Sequence, residues 1–69
     1  MSDTLADALP REMKRVRELI PLYELVPENA GAFAIAMMRN SLALAEKAMA
    51  EGDVVQMIAA YAQLKEFEE

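Results

Sequence analysis

The sequence predicts a small all-α protein, a three-helix bundle whose last two helices form an antiparallel hairpin and which associates with further copies. Apolar residues recur at steps of three and four through the 69-residue chain, the spacing of an amphipathic helix. No segment alternates as a strand does. A glycine followed by aspartate, Gly52-Asp53, marks a tight turn between two such segments. We therefore expect one helical domain over residues 1–69.

The first helix is predicted from about Thr4 to about Val26. One face of it carries Leu5, Leu9, Met13, Val16, Ile20 and Tyr23. We expect Asp7 to cap the main helix, because Pro10 would then lie in the first turn, where no amide donor is needed. Pro21 removes a hydrogen bond within the helix, which predicts a kink or break near Ile20. Residues 27–29 form the connection.

The second helix is predicted from about Ala30 to about Glu51, with Pro27 or Asn29 opening it. Residues 30–38 contain no polar side chain, so this helix needs cover on every side. Two adjacent apolar seams along it predict two neighbouring helices, which makes it the central helix. A chain this small has a thin margin for folding alone, which favours a homodimer or larger symmetric oligomer. The predicted self-association contacts are Phe33, Ala34, Ile35 and Met38.

The third helix has the clearest boundary signals. Gly52 accepts a positive φ and ends the second helix, while Asp53 and Gln56 have the spacing of a capping box. Its predicted buried face consists of Val54, Met57, Ile58, Tyr61, Ala62 and Leu64. The predicted core of the whole bundle consists of Leu9, Met13, Val16, Ile20, Ile35, Met38, Leu42, Met49, Ile58, Tyr61 and Leu64.

The composition argues against catalysis. The chain contains no histidine and no cysteine, which removes the commonest general base, the thiol nucleophile and the best transition-metal ligands. Ser41 lies in an apolar seam of the second helix, where a hydrogen bond back to its own backbone is the expected role. We therefore expect neither an enzyme nor a cofactor or metal site.

The formal net charge of −5 disfavours direct binding to nucleic-acid phosphates. The first residues carry an acid, Asp3, where a signal peptide carries positive charge. Arg39 interrupts the apolar run far short of the ~20 residues that a membrane span requires. These features predict a cytoplasmic protein without a transmembrane segment.

Four of the seven positive charges lie close together in the first helix, at Arg11, Lys14, Arg15 and Arg17. They form a candidate docking face for an acidic protein, for phosphate groups or for an anionic membrane. The alternative is a solvated face with ion pairs at helical spacing, such as Glu12–Arg15.

Phe67 is a further candidate partner-binding residue, because on an ideal helix it points away from the predicted buried face of the third helix. Either the helix frays there or Phe67 anchors an intermolecular contact.

The opening segment SDTLADALPREM (residues 2–13) and the closing GDVV (residues 52–55), with Tyr61 and Leu64-Lys65, resemble short proteins of unassigned function in proteobacterial genomes and prophages. The resemblance implies a bacterial or phage origin. By size and charge alone, the chain is similar to anti-CRISPR proteins, which bind and block a host complex. The expected function is therefore that of a non-catalytic protein-interaction module that inhibits or regulates a protein partner. The alternative is a structural homo-oligomerisation subunit or a helical module on a membrane surface.

Overall fold

The computed structural model describes residues 4–25 and 29–67, apart from the side chains of Asn29 and Ala30. Three helices form: α1 (Leu5–Glu24), α2 (Asn29–Glu51) and α3 (Val54–Lys65). Each helix contacts the other two, and the described ranges contain no strand. The predicted all-α three-helix bundle is confirmed.

Helix α1 begins at Leu5, close to the predicted start, but Thr4 and not Asp7 caps it. The Thr4 hydroxyl oxygen accepts a hydrogen bond from the Asp7 amide at 3.2 Å and donates one to Asp7 Oδ2 at 2.9 Å. The prediction of Asp7 as the cap is therefore wrong. Its carboxylate lies in the first turn, where negative charge favours the helix dipole.

Both prolines of α1 lie inside one continuous helix, so of the predicted kink or break near Ile20, the break does not occur. Each proline leaves the carbonyl four residues earlier, at Ala6 and at Arg17, without its usual amide donor. Pro10, Pro21 and those two residues are all exposed, so water can solvate the freed carbonyls. The predicted opening of α2 at residue 27, and residues 27–28 of the connection, lie outside the described residues.

The turn between α2 and α3 forms as its sequence predicts. Gly52 adopts a φ of 68°. Its amide donates to the Met49 carbonyl at 3.3 Å, and the Asp53 amide donates to the Ala48 carbonyl at 2.9 Å, which is a Schellman motif. The Asp53 carboxylate then caps α3 by accepting from the Gln56 amide at 3.1 Å. Two residues thus join the helices of the hairpin.

The core lies where the three helices meet. It consists of Leu9, Met13, Val16, Leu19, Met38, Leu42, Ala45, Ala60 and Leu64. Of the remaining predicted core residues, Ile20, Ile35 and Tyr61 are only partly buried. Met49 and Ile58 are 39% and 56% exposed, so the prediction that they are core residues is wrong.

Helix α3 is rotated about its axis relative to the prediction. Its inner residues are Met57, Ala60, Tyr61, Leu64 and, beyond the end of the helix, Phe67. Three residues that the sequence predicts on the buried face are exposed: Val54, Ile58 and Ala62. The physical reason is that apolar residues occupy every side of α3 except that of Gln56 and Gln63, so the 3.6-residue period does not identify its inner face. Ala60 is central because a small side chain lets α3 approach its neighbours closely.

Candidate functional site

A few polar side chains join one helix to another. Ser41 is 4% exposed, and its hydroxyl donates to the side-chain oxygen of Gln63 at 2.9 Å. The expected bond from Ser41 to its own backbone is therefore replaced by a link between α2 and α3. Within the described residues, no group of three or more acidic side chains is arranged to hold a metal ion.

Arg15 joins α1 to the end of α3. Its two terminal guanidinium nitrogens donate to the carbonyls of Phe67 and Leu64, each at 2.8 Å. Its Nε donates to Glu12 Oε1 at 3.1 Å, and the same carboxylate lies 3.0 Å from Nη2, which confirms the predicted Glu12–Arg15 ion pair. The Leu64 carbonyl also accepts from the Phe67 amide at 3.2 Å, and a cation at a helix C-terminus favours the helix dipole. Arg15 therefore acts within the chain.

Two of the four cations of α1 contact the other helices of the bundle. Arg17 lies 3.8 Å from Glu46 of α2, whereas Arg15 contacts α3. Two residues of a helix that are two positions apart are rotated by about 200° about its axis, so the guanidinium groups of Arg15 and Arg17 extend to opposite sides of α1. Arg11 and Lys14 are exposed between them. Arg11, Lys14 and Arg15 thus stay on one side of α1 at helical spacing, while Arg15 and Arg17 are engaged within the bundle.

Phe67 belongs to the fold. Its side chain is partly buried and packs against the core, and its carbonyl accepts from Arg15. The apparent conflict in the sequence arose from the misassigned inner face of α3, because Phe67 follows Ala60 and Leu64 on the true inner face at steps of three and four.

An uncharged, apolar area is exposed on the first half of α2. We call it the Phe33 surface, and it consists of Phe33, Ala36, Met37 and Asn40. The side chain of Phe33 is 70% exposed and that of Met37, one turn later, is 46% exposed. Met38, the next residue, is fully buried in its own chain. The Met38 side chain is therefore not accessible for the predicted self-association contact.

Of the other predicted contacts, Ala34 and Ile35 are half-buried against the bundle, which leaves Phe33 as the exposed member of that set.

A second exposed apolar area lies along the outer side of α3. We call it the α3 stripe, and it consists of Val54, Val55, Ile58 and Ala62. Val54 is 58% exposed, Val55 73% and Ile58 56%. Sequence reasoning did not identify Met37 or this stripe as surface. The available signal was that apolar residues cover most of the circumference of α3, whereas in a bundle of three helices one side of an outer helix has no neighbour.

A pocket of about 320 Å³ lies beside the hairpin turn. Its lining carries both signs of charge, so it offers no selective site for an anion or a cation. The lining residues are Leu44, Lys47, Ala48, Glu51, Asp53 and Gln56.

No protein-family model, curated protein or solved structure matches this chain. None of the helices in the described ranges is long and apolar enough to cross a membrane.

Proposed function

We propose that this chain is a non-catalytic interaction module that docks on another protein through the Phe33 surface and inhibits or regulates it. The observation that carries the proposal is the 70% exposure of Phe33 on a helix whose opposite side is buried. An exposed aromatic side chain beside a flexible methionine is the composition of an interface anchor.

The Phe33 surface contributes little to the fold of a single chain. The core is formed by other residues of α2, among them Met38 and Leu42, which are 0% and 6% exposed. An apolar group left in water lowers solubility without stabilising the folded chain. We infer that this exposed area serves contact with a second surface.

The charge of the chain favours one class of partner. A net charge of −5 accelerates encounter with a positively charged protein, such as one that binds nucleic acid. The uncharged Phe33 surface would form the dry centre of such a contact, and the acidic remainder of the chain would provide its rim. This arrangement suits a protein that covers a functional surface of a bacterial or phage complex.

A membrane-surface role for α1 has less support. Such a role needs several cations that extend away from the bundle. In this bundle Arg15 and Arg17 are engaged by different neighbouring helices.

The test is capture of partners by three immobilised forms of the chain: wild type, Phe33→Asp and Ala43→Asp. Both substitutions add one negative charge at an exposed position of α2. We expect wild type and Ala43→Asp to retain the same protein and Phe33→Asp to lose it. For the milder Phe33→Ala variant we expect affinity for that protein to fall roughly 30-fold or more, the size typical of an interface anchor.

Two results would overturn the proposal. One is a Phe33→Asp variant that retains the same partner as wild type. The other is capture by wild type of nothing but its own copies, which would favour the structural alternative.

A further inference from the structure

We infer that the Phe33 surface is one wall of a groove that takes an amphipathic helix of the partner, and that the last turns of α1 form the other wall. This inference rests on the proposed function, because it specifies which element of the partner docks there. The walls carry Leu22 of α1 and Phe33 and Met37 of α2, which are 45%, 70% and 46% exposed. The bound helix lies in line with α3, in the place that a longer α3 would occupy.

The first argument is that α3 is too short to cover the side of α2 on which it packs. Helix α2 has 23 residues and α3 has 12, so they span about 34 Å and about 18 Å. The hydrogen bond between Ser41 and Gln63 places the last turn of α3 beside the middle of α2. Residues 29–40 of α2 therefore extend past the end of α3, over a length of about 18 Å.

The second argument is that the exposed residues continue the side of α2 that α3 covers. Met37 precedes Ser41 by four residues and Leu44 by seven, so the three share one side of the helix. Ser41 is 4% exposed beside α3, whereas Met37 is 46% exposed beyond its end. Phe33 lies one turn before Met37, at the edge of the same side. The apolar side of α2 that packs on α3 thus continues without cover.

The third argument is that α1 also extends past the end of α3. Arg15 marks the level of that end, because its guanidinium donates to the carbonyls of Leu64 and Phe67 at 2.8 Å. Leu22 follows Arg15 by seven residues, nearly two turns, so it lies on the same side of α1. Tyr23 still packs against the core, so α1 stays in contact with the bundle over these turns. Leu22 is therefore the counterpart of Met37 on the opposite wall.

The shape and charge of the groove identify its occupant. Two packed helices with adjoining apolar sides are what α3 contacts in the rest of the bundle, so a third helix is the element that fits the same place. Residues 16–24 of α1 span about 13 Å, enough for apolar anchors at positions i, i+3 or i+4, and i+7 of the bound helix. The net charge of −5 favours a helix with cations on its outer face.

The first experiment measures the binding of a fluorescent peptide by anisotropy at about 0.15 M salt. The peptide has about 14 residues, with leucines at helical spacing and lysines elsewhere. The control peptide contains the same residues rearranged so that no helix face is apolar. Wild type should bind the amphipathic peptide with a Kd below about 1 mM, and circular dichroism should show that the peptide becomes helical. Binding of the control peptide should be at least about tenfold weaker.

Variants of the chain locate the bound peptide: Leu22→Asp and Phe33→Asp in the groove, with Ala43→Asp and Ile58→Asp as controls outside it. All four positions are exposed. Each substitution adds one negative charge, which by itself strengthens the attraction to a cationic peptide. The two groove variants should nevertheless weaken binding roughly tenfold or more, and the controls should not. If Leu22→Asp loses helical content, Leu22→Ala takes its place with the same expected direction.

The second experiment adds Leu22→Asp to the capture assay and separates the two possible failures. We expect this variant to lose the captured partner as Phe33→Asp does. A partner lost by Phe33→Asp but retained by Leu22→Asp would overturn the groove and leave the proposed function intact. A partner retained by both variants would overturn the proposed function and, with it, this inference.

Three results of the peptide titration would overturn the groove. One is equal binding of the two peptides, and another is no saturable binding of the amphipathic peptide up to about 1 mM. The third is weaker binding by Ile58→Asp with unchanged binding by Leu22→Asp, which would place the peptide on the α3 stripe.

Discussion

Replacement of Arg15 by alanine should destabilise the bundle by about 2 kcal/mol. The substitution removes two charge-assisted hydrogen bonds of 2.8 Å to the carbonyls of Leu64 and Phe67. Such bonds contribute about 1.5–3 kcal/mol each when buried, and a cation at a helix C-terminus adds about 0.3–1 kcal/mol. The Arg15 side chain is 37% exposed, so water replaces part of what is lost and the sum is reduced accordingly. The Glu12 ion pair adds little at this exposure.

The assay is urea unfolding followed by circular dichroism at low protein concentration, so that self-association does not contribute. Lys14→Ala is the matched control, because it removes the same charge from an exposed neighbouring position and should change stability by no more than about 0.5 kcal/mol. For a chain of this length, a loss of 2 kcal/mol lowers Tm by roughly 8–16 °C. Arg15→Lys should fall between the two, since an ammonium lacks the planar fork that reaches both carbonyls.

Equal stability of Arg15→Ala and Lys14→Ala would refute the reasoning. It would show that the guanidinium does not fasten the end of α3 to α1, and that Arg15 is available to a partner as the sequence first suggested.

Two further predictions concern the core and the turn. Leu42→Ala should lower the free energy of unfolding by about 2–5 kcal/mol in a denaturation experiment, because Leu42 is 6% exposed. Ile58→Ala should lower it by less than about 1 kcal/mol, because Ile58 is 56% exposed. Similar losses of stability in the two variants would mean that α3 is rotated as the sequence suggested. Gly52→Ala should destabilise the chain by about 1–2 kcal/mol through backbone strain at a φ of 68° alone, since an added Cβ meets no atom within 4 Å. Gly52→Asn should lose less stability in the same measurement. An alanine variant as stable as wild type would exclude the left-handed turn.

The sequence predicted the helices and the turn because their signals are local. Gly52, Asp53 and Gln56 act within one turn of backbone, and the structure places their hydrogen bonds as expected. The effect of the prolines on α1 was not predictable in the same way, because the energetic effect of a lost hydrogen bond depends on whether water reaches the freed carbonyl. Whether water reaches these carbonyls depends on the exposure of Pro10 and Pro21, which is known only once the bundle has formed.

The inner face of α3 was not predictable from its period. When most side chains of a helix are apolar, the large ones are predicted to be buried. In this bundle the closest packing instead places Ala60 inside and Ile58 outside. The role of Arg15 was also hidden, because its carbonyl partners lie about 50 residues away and belong to the backbone, which carries no sequence signal. The candidate site followed only once the buried faces were known.

The central claim, that α2 directs Phe33 and Met37 towards a partner, is tested most directly by methionine oxidation read out by mass spectrometry. Met37 and Met38 are neighbours in sequence but are 46% and 0% exposed, and Met49 is 39% exposed elsewhere on α2. In the free chain, dilute peroxide should oxidise Met37 and Met49 well before Met38. In the complex with the captured partner, Met37 should become protected while Met49 stays reactive. Oxidation of Met37 at the same rate in the free and bound chain would contradict the account.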